Sequence, residues 1–172
     1  MKKQIKIGIV RSTYYHDIEL SMFAGAKNVI DLHNDKNKFF KDNPIKLTNI
    51  QALGSFEIPQ LISKHINECD AFIALGCIIK GKTPHFDFIS KSITDGLMKI
   101  SIENKKPIGN GVLTCLNKKQ AYDRSKGKKN KGTETAKAVI HSLLMSILLK
   151  NPDLCEGGSI SQFVNPDIYH EN

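Results

Sequence analysis

No run of apolar residues in this chain is long enough to cross a bilayer, where about 20 are needed, so no membrane-spanning helix is expected. The opening MKKQIKIGIV couples a lysine pair to a short apolar run without a small-residue cleavage site. It reads as a strand over 5–10 and not as a secretion signal. Cysteine is sparse, and Cys69, Cys77, Cys115 and Cys155 form no C-x-x-C pair, which argues against a zinc site. Three of them sit in or beside apolar runs and read as buried free thiols, as a cytoplasmic protein would carry. Acids are outnumbered, 17 against 25 Lys and Arg, for a net charge of +8. Most of that excess falls between Lys118 and Lys137, where eight Lys/Arg meet two acids. Such a stretch either attracts nucleic acid or a phosphorylated small molecule, or is a solvated loop. It lacks interleaved aromatics and a nucleic-acid-binding motif, so no nucleic-acid partner is expected.

The 172 residues suit one α/β domain over 1–150, followed by an irregular tail over 151–172 rich in Pro, Gly, Ser and Asn. Strand and helix signals alternate. A β-branched strand at 5–10 precedes a helix over 17–32 with Ile18, Met22, Ala26, Val29 and Ile30 on one face. The polar segment 33–44 reads as a surface loop. A half-buried strand follows at 45–53, then a helix opened by Pro59. The continuous apolar run 70–79 marks a central parallel strand. Phe86, Ile89, Ile93, Leu97 and Ile100 recur at helical spacing, 107–114 is a fourth strand, and 132–150 a last long helix. This order predicts a three-layer α/β/α sandwich of flavodoxin-like type around a four-stranded parallel sheet. Ligands of such sheets bind beyond the carboxyl ends of the strands, here near 11–16, 53–58, 77–85 and 110–117.

Residues 76–83, GCIIKGKT, match the phosphate-loop pattern of nucleotide-binding proteins. Chemistry argues against that reading. The β-branched pair Ile78-Ile79 favours extended backbone where the loop must curl around an anion. No other strand ends on an aspartate to hold magnesium, and the match falls on the third strand. The turn before His85 still opens a helix, whose free amides favour anions. The same dipole disfavours the charged imidazole and leaves a neutral proton carrier. After the second strand, GSFEIP exposes amides for a planar heterocycle. Glu57 can accept from hydroxyls there, or simply favour the helix dipole. Tyr14 and Tyr15 can stack on an aromatic ligand or pack, and Arg124 can clamp a phosphate or lie free on the surface.

Together, GSFEIP, DAFIALGCIIKGKTPHFDFI and GNGVLT…QAYDRSKGKKNKGTETA resemble the 6,7-dimethyl-8-ribityllumazine synthase family, over roughly residues 5–149. The resemblance implies condensation of 5-amino-6-(D-ribitylamino)uracil with 3,4-dihydroxy-2-butanone 4-phosphate, without metal or redox cofactor. It implies proton transfer by His85 and stacking by Tyr14. Ser55, Phe56 and Glu57 would contact the ring and ribityl chain, and Cys77, Ile78 and Ile79 the pyrimidine. Lys82, Thr83 and Arg124 would bind phosphate, with Lys131 and Asn110 completing the pyrimidine site from a neighbouring subunit. A homo-oligomer of pentamers, and a pathway association with riboflavin synthase, are further implications. The chain departs from the family's pattern at Lys82, Asn110 and Leu53, in a spacing one residue short after Arg124, and in a longer connection at 33–43. A shell protein that has lost catalysis is the rival within the family, and the presence of His85, Thr83 and Arg124 opposes it.

Overall fold

A computed structural model describes residues 4–151. Cys155 and the tail reading for 152–172 lie outside those residues. Four strands, β1 (Ile5–Ser12), β2 (Ile45–Ala52), β3 (Ala71–Ile79) and β4 (Ile108–Cys115), form one sheet in the order β2-β1-β3-β4. Every pairing is parallel: Ile5 faces Ile45, Ile7 faces Ala71, and Phe72 faces Ile108. Parallel neighbours demand crossovers, and the helices that make them cover both faces.

One face carries α1 (His16–Lys36) and α6 (Lys131–Lys150). Ile7, Ile9, Ile73, Leu75 and Leu113 point into this layer and meet Ile18, Met22, Ala26, Val29, Ile30, Val139, Ile140 and Leu144. The opposite face carries α3 (Ile58–Lys64) and α4 (His85–Asn104), where Val10, Phe72, Ala74 and Val112 meet Ile58, Ile62, Ile93 and Leu97. The alternation along β1 and β3 therefore divides their side chains between two cores.

Residues 33–44 depart from the surface-loop reading. The first helix runs on to Lys36, and α2 (Lys38–Asp42) follows at once. Asn37 caps it, its Oδ1 accepting the N–H groups of Phe39 (3.0 Å) and Phe40 (3.3 Å). Phe40 is fully buried, and its ring lies edge-on to the buried His33 at 5.9 Å. The polar composition concealed two apolar anchors, Phe40 buried and Phe39 half-buried against the core, held by one cap. The basic stretch also contains a helix that periodicity did not signal, α5 (Lys118–Ser125), capped by Asn117 and anchored by Ala121. Cys69, Cys77 and Cys115 are buried free thiols, as expected. Among the described residues, no helix is long and apolar enough to cross a membrane.

Candidate active site

The carboxyl ends of β1, β2 and β3 come together along one edge of the sheet. Beyond β1, the Thr13 N–H donates to the carbonyl of Ala52 (3.0 Å), tying the ends of β1 and β2. Tyr14 follows at the rim, 74% exposed, with Tyr15 edge-on at 5.0 Å. Of the two tyrosines, Tyr14 is the one free to meet a ligand. Tyr15 packs on the core, and burial, with the Cys77 thiol nearby, raises its phenol pKa.

Beyond β2, Gly54 leads into a short 3-10 turn, Ser55–Glu57, that continues into α3. The Glu57 carboxylate accepts the Gly54 N–H at 3.0 Å, closing the turn on itself. A Cβ on residue 54 would lie 2.8 Å from that carboxylate, so the glycine makes room for the internal bond. The sequence reading gave this glycine to ligand approach; the structure adds a closer tenant. Buried Ser55 reaches β3, its hydroxyl donating to the Cys77 carbonyl at a long 3.4 Å. Phe56 is exposed beside it.

The end of β3 supplies Cys77, Ile78 and Ile79. Burial first, then the neighbouring Cys115, pushes the Cys77 thiol up to about 12, so it stays protonated and unreactive near neutral pH. Lys82, Thr83 and His85 stand exposed on the turn into α4. Pro84 precedes the helix and no side chain caps it. The Pro84 carbonyl takes the N–H groups of Asp87 (3.0 Å) and Phe88 (3.4 Å). The first amides of α4 have no carbonyl within the helix to bond, and they lie next to His85 and Thr83.

Three further predicted residues lie on β4, α5 and α6. Asn110 lies within β4, opposite Ala74 and three residue pairs short of Cys77, about 10 Å along the strand. Asn110 is exposed, and its Oδ1 accepts the N–H of the buried Val112 at 3.1 Å. Arg124 lies in the last turn of α5, exposed and near enough to Cys115 for its charge to draw the thiol's pKa down against the larger upward effect of burial. Lys131 opens α6 on the α1 side of the sheet, its Nζ 2.6 Å from Glu134. An open surface pocket of about 630 Å³ beside Arg124 is lined by Tyr122, Asp123, Lys126, Gly127 and Lys129. Within one chain, Lys82, Thr83 and His85 thus face solvent, Asn110 and Lys131 lie away from them, and Arg124 stands near Cys115 at the neighbouring strand end. Among the described residues, no group of three or more His, Cys, Asp or Glu is arranged to hold a metal.

Two residues under the rim escaped the sequence reading. Arg11, three residues before Tyr14, and Glu19 form a buried ion pair. A signal existed: Arg11 continues the inward alternation of Ile5, Ile7 and Ile9, and an inward arginine requires a buried acid.

The model of the 6,7-dimethyl-8-ribityllumazine synthase family matches residues 4–146. A curated 6,7-dimethyl-8-ribityllumazine synthase of Mycobacterium leprae is 36% identical over 150 residues, covering 86% of this chain and 88% of the relative. One of Corynebacterium kroppenstedtii is 46% identical over 100 residues, covering 56% of this chain and 63% of the relative. A third, of Mycolicibacterium paratuberculosis, is 35% identical over 143 residues, 81% of this chain and 84% of its own. With the parallel sheet complete and the match running from β1 into the last helix, the chain belongs to the 6,7-dimethyl-8-ribityllumazine synthase family of enzymes.

Proposed function

We propose that the protein condenses 5-amino-6-(D-ribitylamino)uracil with 3,4-dihydroxy-2-butanone 4-phosphate to 6,7-dimethyl-8-ribityllumazine, the penultimate step of riboflavin synthesis. The observation that carries the reading is convergence. Segments far apart in sequence, around Tyr14, Ser55–Glu57, Cys77–Ile79 and Lys82–His85, meet at one end of the sheet in a chain of this family.

The chemistry suits the groups present. The free amine of the pyrimidine attacks the ketone and loses water to form an imine. Phosphate is eliminated, and the resulting enol tautomerises to a ketone. The ribitylamino nitrogen attacks that carbonyl and expels a second water as the ring closes. His85 is exposed at the turn, where it can move the protons these steps require. The α4 amides, Thr83 and Lys82 receive the phosphate, and Arg124 of a neighbouring subunit closes over it. Tyr14 stacks on the pyrimidine, while Ser55, Phe56 and Glu57 meet its edge and ribityl chain. Proximity of two bound substrates supplies much of the rate.

A site shared between subunits brings a neighbour's Asn110, Arg124 and Lys131 to the exposed His85 cluster. Large apolar side chains stand exposed just beyond β2 and along α4, among them Leu53, Phe56, Phe88, Met98 and Ile102. Side chains of that kind in one region mark an interaction surface. We infer assembly into pentamers or multiples of them, and a cytoplasmic enzyme with no nucleic-acid partner.

Turnover of the two substrates, followed by lumazine fluorescence without metal or nucleotide, tests the reaction; a purified protein that forms no lumazine overturns it. Co-refolding of inactive His85→Ala and Arg124→Ala proteins tests the sharing. Partial recovery of activity is expected, and none from mutants shown to co-assemble would place the whole site on one chain.

A further inference from the structure

Tyr14 sits on a three-residue loop whose downstream end is unusually bare. The N-cap of α1 is Tyr15, and its side chain makes no capping hydrogen bond. Something else must set where the first turn lies. Tyr15 and Ile18 pack on the core, and Arg11 and Glu19 add the polar contacts that tie this turn to β1 and β2.

Arg11 projects from the last turn of the β1 alternation and is buried. Its Nε donates to Asn49 Oδ1 on β2 at 2.8 Å. Its NH1 donates to Glu19 Oε1 in the first turn of α1. The guanidinium carbon lies 4.6 Å from the ring centroid of Phe23, over that ring and one turn further along the same helix. Two hydrogen bonds and one cation–π contact hold the guanidinium to β2 and to α1. Glu19 is 1% exposed, and among the described residues its second oxygen has no hydrogen-bond partner, lying 3.9 Å from His16 Nδ1. A carboxylate is held there, half unsatisfied, at a position where an apolar residue would pack without cost. An arrangement that sacrifices solvation in this way fixes geometry more than it adds stability.

We propose that Arg11 and Glu19 are positioning residues that hold the first turn of α1, and through it the ring of Tyr14, in place for the heterocyclic substrate. The effect on catalysis rests on the function proposed above. The ordering of the rim does not.

The test uses Arg11→Met combined with Glu19→Leu in the full chain. Removing both charges leaves neither stranded in the core, so the fold survives. The chain contains no tryptophan, so Tyr14→Trp in each background places a single indole reporter at the rim. In the double variant the indole should show lower fluorescence anisotropy and readier quenching by acrylamide. In the Tyr14 background, KM for the ribitylamino-uracil should rise about tenfold, with KM for the butanone phosphate moving less than twofold. Arg11→Lys keeps a charge for Glu19 but loses the planar guanidinium, and should fall between. Unchanged anisotropy together with unchanged KM overturns the proposal, whatever happens to the melting temperature, because a purely structural pair would alter only the latter. A parallel rise in both KM values also overturns it. Lower anisotropy in a protein that makes no lumazine even with Arg11 and Glu19 intact supports the clamp and rejects the reaction.

Discussion

Gly76 is the residue whose replacement separates the two roles of the β3 end most cleanly. It lies in the apolar strand one residue before Cys77, and its missing side chain leaves room for the 3-10 turn from β2. A Cβ built there would fall 2.7 Å from Ser55 Oγ, 3.1 Å from Ile58 Cδ1 and 3.3 Å from Ser55 Cβ. Restoring ordinary contact requires the hydroxyl to retreat by about 0.7 Å. Serine can rotate, but rotation breaks the already long bond to the Cys77 carbonyl. Rotation also leaves Ser55 Cβ and Ile58 too close, so the turn itself must lift. Overpacking of this kind costs roughly 1–3 kcal/mol. The weak hydrogen bond adds at most about 1 kcal/mol. Gly76→Ala should therefore lower the urea midpoint by an amount equivalent to about 2 kcal/mol at fixed protein concentration. Because the lifted turn carries Ser55, Phe56 and Glu57, KM for the pyrimidine should also rise several-fold. Adding Ser55→Gly to Gly76→Ala removes both offending atoms of Ser55 and should recover most of the stability, but not the KM. A single variant as stable as the parent, or a double variant no more stable than the single one, refutes the steric reasoning.

His85→Ala should lower kcat by roughly 10²-fold, with little change in either KM, because orientation of the two substrates survives without the proton carrier; steady-state kinetics check this, and an unchanged kcat makes His85 structural. Arg124→Ala should raise KM for the butanone phosphate about tenfold and leave the pyrimidine KM alone; inorganic phosphate should compete at the same site, more weakly in the variant. Burial is the largest influence on His33 and lowers its pKa below the ordinary 6.5, while its bond to the Val29 carbonyl opposes this. The unfolded chain therefore takes up this proton first, so the neutral ring's contribution is complete above pH 6.5 and lost as pH falls below it. Urea midpoints measured from pH 7.5 down to 5 should fall less steeply for His33→Gln than for the parent; equal slopes would show that His33 does not carry the effect.

Much of this protein was legible before any coordinates. Periodicity located four strands and the helices α1, α3, α4 and α6, because inward alternation and a 3.6-residue stripe both record burial, and burial is the largest driving force in folding. Spacing alone also placed His85 just beyond an apolar parallel strand, which is where an open α/β sheet binds ligands. The segments missed were short ones with few buried residues. In α2 these are Phe40, behind the Asn37 cap, with Phe39 packed beside it; in α5 they are Ala121 and Ser125, with Tyr122 packed on the core. So few anchors in a short helix show no period. Other features belong to tertiary structure entirely. The order β2-β1-β3-β4, the meeting of Ser55 with Gly76, and the choice of Glu19 as the partner of Arg11 each join residues from different elements. Local preference is a property of neighbours along the chain, whereas these pairings depend on which surfaces are left to be covered once the elements pack.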